Sequence, residues 1–304
     1  GTFNALTKEW RTFAESSKQV TIAVTPLSVQ GFLGSVREGV VKPGAALNFV
    51  IRYRNNTSVI LKNITLKALF AGNVLDRLTL RPSDEGVVDS QTGVAVWGPG
   101  NVSQLRELQP NESGELQVVI QVKDPPPVMT EQDKNLKVVM RSSISTASTP
   151  DELKGTNLSS EDRIEFKIAS KVVFSGKALH GASPIANTGA FPPQVGKKTT
   201  YTILWEVKNF TNDIANTEVT ATLPPNVAWE NVTKTDGASI TYNTASSEVT
   251  WHIGTIPAGT GVRSPTLTGA FQVSITPAIT DRNNLMKLIN VSRLTGNDLF
   301  ANVP

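Results

Sequence analysis

The strongest constraint on this chain is the period at which its apolar residues recur. Tyr201, Ile203, Trp205 and Val207 alternate with other residues, the pattern breaks at KNFTNDIAN, and it resumes at Val219, Ala221 and Leu223. A period of two puts every second side chain on one face of a pleated strand, so residues 199–224 predict a strand, a turn and a second strand, a hairpin. Similar runs follow one another: QVTIAV (19–24), LNFVIRYRN (47–55), ITLKALF (64–70), LQVVIQV (116–122), LKVVMRSSIS (136–145), KVVFSG (171–176), SEVTWHI (247–253) and GAFQVSIT (269–276). They are rich in β-branched residues, which suit a pleated surface, and Asn, Gly, Pro and Asp separate them. Short strands punctuated in this way predict an all-β sandwich.

The pattern occurs twice. In the first half KPGAALNFVIRYRNNTSVILKNITLKALF leads through TGVAVWG to LRELQPNESGELQVVIQV. In the second, QVGKKTTYTILWEVKNFTNDIANTEVTATLP leads through SEVTWHIG to IPAGTGVRSPTLTGAFQVSIT. Asn55 then matches Asn209, Asn63 matches Asn216, and Trp97 matches Trp251, while Phe49, Ile51 and Tyr53 take the inward places of Ile203, Trp205 and Val207. A repeat of this length predicts two copies of one fold in tandem, residues 19–170 and 171–304, after a short segment, residues 1–18. The join falls at residues 169–171, where IEFKIAS runs almost directly into KVVFSG, so the two domains would have little swing. Residues 145–163 are polar and predict a long loop, and the prolines of KDPPPVM (123–129) predict a stiffened crossing between sheets.

In the N-terminal segment Phe3, Leu6, Trp10 and Phe13 recur at spacings of three and four, which lays them on one helical face. That predicts a short helix or strap packed on the first domain; the sharper reading is a docking segment for a neighbouring subunit. The cationic face is weak for a helix lying on a membrane.

Composition removes several functions. The 304 residues hold 29 Lys and Arg against 26 Asp and Glu, a scattered surplus of three without the basic clusters of a nucleic-acid binder. Cysteine is absent, which excludes disulfides, thiol catalysis and thiolate-held metals. No run of eighteen apolar residues occurs. The opening GTFNAL has no signal-peptide pattern and reads as the start of a processed chain, which leaves any export signal or anchor outside this segment.

Chemistry-bearing motifs are few. No phosphate-cradling glycine loop occurs; SGKAL (175–179) lacks the upstream glycine and the following Ser or Thr. Asp84, Glu85 and Asp89 could offer oxygens to calcium, but their spacing matches no EF-hand, and a solvated turn is the better reading there and at SSEDR (159–163). The two histidines are His180, beside a glycine, and His252, which predicts a solvent-facing position opposite Trp251. No cofactor, metal or catalytic residue is expected. Nine Asn-x-Ser/Thr matches, among them Asn55 and Asn209, matter only if the host glycosylates exported proteins.

The stretch VGKKTTYTILWEVKNFTNDIANTEVTATLP…VTWHIGTIPAGTG…AFQVSIT resembles the bacterial conserved-repeat Ig-like surface domain, the DUF11-type repeat. The first half resembles a more divergent copy, and VVFSGKAL with PPQVGKKTTYTI is similar to large exported proteins of candidate-phylum bacteria. The resemblance spans most of residues 35–123 and 171–295. It implies two tandem immunoglobulin-like sandwiches at the bacterial cell surface, with a role in stalks, adhesion or surface assemblies. It brings no catalytic motif; Trp97 and Trp251 would fill cores, and Asn55 and Asn209 would close turns. The first copy departs from the second by the insertion GPGNVSQ after Trp97, a longer loop of the kind on which scaffolds carry binding. A non-enzymatic structural or adhesive protein is therefore expected, with partners that are proteins, copies of itself or other surface components. The alternative is a carbohydrate- or protein-binding module, for which Trp229 in NVAWENVT is the leftover aromatic.

Overall fold

A computed structural model describes residues 2–4, 9–11, 25–89 and 91–304. The strands in chain order are β1 (Thr2–Asn4), β2 (Glu9–Arg11), β3 (Leu27–Leu33), β4 (Glu38–Val41), β5 (Ala46–Asn55), β6 (Leu61–Ala71) and β7 (Leu75–Pro82). They continue with β8 (Val87–Asp89), β9 (Val94–Trp97), β10 (Glu107–Leu108), β11 (Ser113–Val122), β12 (Lys137–Ser148) and β13 (Ser159–Ile168). The second half holds β14 (Val172–Leu179), β15 (Thr199–Asn209), β16 (Ile214–Thr222), β17 (Ala228–Thr235), β18 (Ser239–Asn243), β19 (Glu248–Ile256), β20 (Leu267–Ile275) and β21 (Arg293–Asp298). Short 3-10 turns are the only helical elements among the described residues. None of the described helices is long and apolar enough to cross a membrane.

In the first half, a sheet in the order β3-β5-β11-β7 faces one in the order β4-β13-β12-β6-β9-β8, with β10 on β6. In the second, β14-β15-β20-β17 faces β18-β19-β16-β21. Each pair of sheets closes on its own apolar cluster. The first is built around Phe49, Ile51, Tyr53, Phe70, Trp97 and Phe166; the second around Ile203, Trp205, Val207, Trp251 and Phe271. Across the second cluster the Trp205 and Trp251 rings stack at 6.5 Å from opposite sheets. The architecture is a β-sandwich, and the inward residues of the two matched strands are those read from the alternation.

The segment at 199–224 is not a hairpin. β15 and β16 belong to opposite sheets, and residues 210–213 carry the chain from one to the other. Alternation reports which face a strand buries and is silent on its partner; both strands bury their apolar face in one core, from opposite sides. Asn209 makes the crossing possible. Its buried amide donates to the carbonyls of Asn212 (2.7 Å), Ile256 (3.1 Å) and Pro257 (3.1 Å). Asn55 does the same between β5 and β6, donating to Val59 (2.8 Å), Leu108 (3.0 Å) and Gln109 (3.1 Å). The matched pair Asn63 and Asn216 is left-handed in both copies, at φ 54° and 52°. Asparagine tolerates that backbone better than most residues.

Other expectations change. Residues 2–4 and 9–11 are antiparallel strands, with Phe3 opposite Trp10, where a helical face was read; Leu6 and Phe13 lie outside the described residues. A spacing of three and four over four positions also fits short strands interrupted by a turn, and Thr2, Phe3 and Trp10 are strand formers. The expected strand at 19–24 also lies outside the described residues. The polar loop read at 145–163 shrinks to residues 149–158, because β12 runs to Ser148 and β13 starts at Ser159. The SSEDR segment is strand, and Asp162 ties it across the sandwich. Its carboxylate accepts from Gly31 N–H at 2.7 Å and takes both Arg37 terminal nitrogens, at 2.7 and 3.0 Å. Burial works to raise the Asp162 carboxyl, but the Arg37 and Gly31 hydrogen bonds outweigh it and hold the group below its ordinary value. The proline segment does link two sheets, leading from β11 to β12.

Candidate interaction site

One cluster of polar groups converges where the two halves meet, and apolar groups are left open along the flank and far pole of the second half. At the junction Ser170 is the hub. Its hydroxyl donates to Asn209 Oδ1 (2.7 Å) and accepts from the backbone of Thr211 (2.9 Å) and Asn212 (3.2 Å). Its own N–H donates to Asp298 Oδ2 (2.8 Å). Buried Asn212 donates to that same carboxylate and to Ile168 O, each at 2.8 Å, so a residue of the second half caps the last strand of the first. Asp298 Oδ1 accepts from the Phe300 and Ala301 backbone at 3.0 and 2.8 Å. Outside this hub Lys171 pairs with Asp124 at 2.5 Å, and Lys167 donates to Phe300 O at 2.8 Å. Buried polar groups joined in a fully satisfied network resist bending, since each displaced donor would lose its acceptor away from water.

The flank of the second half lies between β14 and β21, each the edge of its own sheet. A cleft of about 540 Å³ near the junction is lined by Val172, Ile214, Leu294 and Gly296. A second, of about 300 Å³, continues along β14 past Phe174, Gly176, Trp205, Ile289 and Ser292. Trp205 is fully buried and its indole N–H donates to Ser292 Oγ at 3.1 Å. Beyond the flank, at the pole away from the junction, a 560 Å³ hollow is bordered by Phe191, 72% exposed, and Leu285, fully exposed, with Tyr201 and Met286 behind them. His180 stacks on Phe191 at 5.3 Å and meets Tyr201 edge-on at 5.5 Å.

Of the residues singled out in the sequence, Trp229 is half-buried, with Tyr242 stacked on it at 5.2 Å and Phe271 at 5.3 Å. Asp89 is held below its ordinary value by hydrogen bonding from the Thr92 side chain and then from the backbone N–H groups of Thr92 and Gln91. Among the described residues no three His, Cys, Asp or Glu side chains stand close enough to share a metal ion. His252 faces solvent on the side away from Trp251, between Glu218 (2.8 Å) and Thr241 (3.2 Å). Loop 98–102 after Trp97 is pinned by Asn101, which accepts from Gly98 N–H and donates to Glu85 O, each at 2.8 Å. Sequence reasoning missed the junction hub altogether, because Ser170, Asn212 and Asp298 come together over long separations with no local motif.

No protein-family model matches the chain, and no curated protein matches it. Among solved structures it is similar to the C-terminal domain of the Streptococcus pyogenes antigen I/II-family protein AspA, at 10% identity over 90% of this chain and 96% of that one, with a TM-score of 0.37. The C-terminal domain of the Streptococcus agalactiae antigen I/II polypeptide BspA superposes at 10% identity over 90% and 96%, with a TM-score of 0.32. A family 123 glycoside hydrolase from Clostridium perfringens aligns over 47% of this chain and 27% of its own, at 12% identity and a TM-score of 0.27.

Proposed function

We propose that this chain is a non-enzymatic structural subunit of a bacterial cell surface, made of two tandem immunoglobulin-like modules, residues 19–170 and 171–304. In this reading the subunit assembles head to tail with copies of itself, and residues 1–18, with Phe3, Leu6, Trp10 and Phe13, belong to the contact. The observation that carries it is the junction, where a buried hydrogen-bond network couples one core to the next. A stalk or filament has to transmit position along its length, and a fixed joint between modules does that, whereas an enzyme or a sugar-binding module has no need of one. The repeat itself supports the reading, since matched strands, arches and tryptophans are structural, and the polar residues the copies share, Asn55 and Asn209, hold the arches. For carbohydrate binding an aromatic face open to a sugar ring is wanted, and Trp229 is half-buried, with Tyr242 stacked on it and Phe271 packed against it at a tilt.

Sedimentation velocity over a concentration series, on the full chain and on the chain without residues 1–18, tests the assembly. The expected result is a mass that grows with concentration for the full chain only. A full chain that stays a monomer throughout overturns self-assembly and leaves a stalk module.

A further inference from the structure

The two modules differ in one respect that the repeat makes legible. In the first, β12 has a further neighbour: β13 runs antiparallel beside it, packs under β3, and carries β4 on its outer side. Ile164, Phe166 and Ile168 of β13 enter the core and are buried. In the second module β21 holds the place of β12, since Leu294 pairs with Val219 as Ile144 pairs with Leu66. Among the described residues no strand lies beyond it. The consequence is visible on β14, which matches β3: Val172 lies opposite Asn209 as Leu27 lies opposite Asn55, and Gly176 matches Gly31. Leu27, Val29, Gly31 and Ile144 are buried; their counterparts Val172, Phe174 and Leu294 are half-buried, and Gly176 is exposed. The flank clefts mark the track that β13 fills in the first module.

What would fill that track is specified by what fills the other. β13 ends at Ile168, and only residues 169–171 separate it from β14, the first strand of the next module. Ahead of β3, the first strand of the first module, the sequence places QVTIAV at 19–24, and only residues 25 and 26 separate the two. Val20, Ile22 and Val24 alternate as Ile164, Phe166 and Ile168 do. The track in the chain's own first module is already taken by β13. Its own second module lies beyond the far end of β5, which at ten residues is about 33 Å long. Residue 25 sits at the opposite pole, where Asn56 holds Thr25 O and Pro26 O. We propose that residues 15–24 of a second copy enter this track antiparallel to β21 and close the second module along β14. Residues 15–17 pair with β21 from Thr295 to Arg293, and residues 19–24 run on beside residues 286–291 to the far pole. The polarity fits: a strand running there from the junction to the far pole leaves the module where the first module of the next copy begins, as β13 leads into β14. This inference rests on the self-assembly proposed above and names its donor and acceptor.

The chain has no cysteine, which makes the register testable without touching the core. In the first module Ser143 lies opposite Glu161; the matching pair is Arg293 and Ser17. Directly opposed residues in an antiparallel pair stand about 4.5–5.5 Å apart at Cα, within disulfide reach. Chains carrying Ser17→Cys are mixed with chains carrying Arg293→Cys under mild oxidation, and with chains carrying Thr241→Cys on the opposite edge strand as control. The expected result is a covalent dimer with Arg293→Cys well above the control, and an onset of assembly raised at least about tenfold by Ile22→Asp. A yield no greater than the control overturns the inference. If the unmodified chain nevertheless assembles in sedimentation, head-to-tail assembly stands and this site falls; if it remains a monomer, both fall. Closure of a Ser17→Cys/Arg293→Cys double variant within one chain also overturns the second copy as donor.

Discussion

Replacing Asn209 by alanine tests the sheet-to-sheet arch that both halves share. The side chain is fully buried; its amide serves three carbonyls between 2.7 and 3.1 Å, and its oxygen accepts from Ser170 Oγ at 2.7 Å. Two amide hydrogens and one acceptor, at roughly 1 kcal/mol net apiece, give about 3 kcal/mol, and the carbonyls left without a donor raise the cost to about 3–4 kcal/mol. With a urea slope of roughly 2 kcal/mol/M, the midpoint of the second half falls by about 1.5–2 M. Three of the five tryptophans, Trp205, Trp229 and Trp251, lie in that half, so tryptophan emission reports it most strongly. Asn209→Asp, which keeps the volume and loses the donors, is expected to cost at least as much, and Asn55→Ala to act alike on the first half. A loss below about 1 kcal/mol for Asn209→Ala refutes the reasoning, since the three carbonyls would then have other partners.

Three further outcomes are expected. The Asp162 carboxyl is held below its unfolded value, so its contribution is complete above about pH 4 and lost as pH falls through the lower folded value. Because Arg37 is 42% exposed the contribution is screened to about 1 kcal/mol; acid titration of stability, wild type against Asp162→Asn, should show a shallower loss in the variant. At Asn216, φ 52° makes Asn216→Val cost about 1–2 kcal/mol and Asn216→Gly a few tenths, read by thermal unfolding. Asp298→Ala removes the acceptor of Ser170 N, Asn212 Nδ2 and two backbone N–H groups, so small-angle scattering should report a wider spread of angles between the halves while both cores keep their circular dichroism.

Much of the fold could be read from the sequence because burial in a sheet has a period of two. Phe49, Ile51 and Tyr53, with Ile203, Trp205 and Val207, went inward as the alternation required, and Trp97 and Trp251 filled matching core places. Strand partners could not be read in that way. The same alternation serves a hairpin and an arch, and what distinguishes them at 209–213 is where one asparagine amide finds its carbonyls. Short or polar edge strands such as β4 and the start of β13 carry little apolar signal, so Ser159 to Arg163 resembled a loop until Asp162 met Gly31 and Arg37. The junction was illegible because its hub joins Ser170, Asn212 and Asp298 by contacts that no local pattern records. The sequons at Asn55 and Asn209 show the converse: a motif with a chemical meaning elsewhere is here two buried amides already fully engaged.

The proposed function requires a stiff two-module subunit that joins copies of itself end to end. Negative-stain electron microscopy of the full chain across a concentration series, beside the chain lacking residues 1–18, tests it most directly. Filaments or sheets built from straight two-lobed rods, lost on truncation, are the expected result. Isolated rods at every concentration, or lobes at random angles to each other, would contradict it.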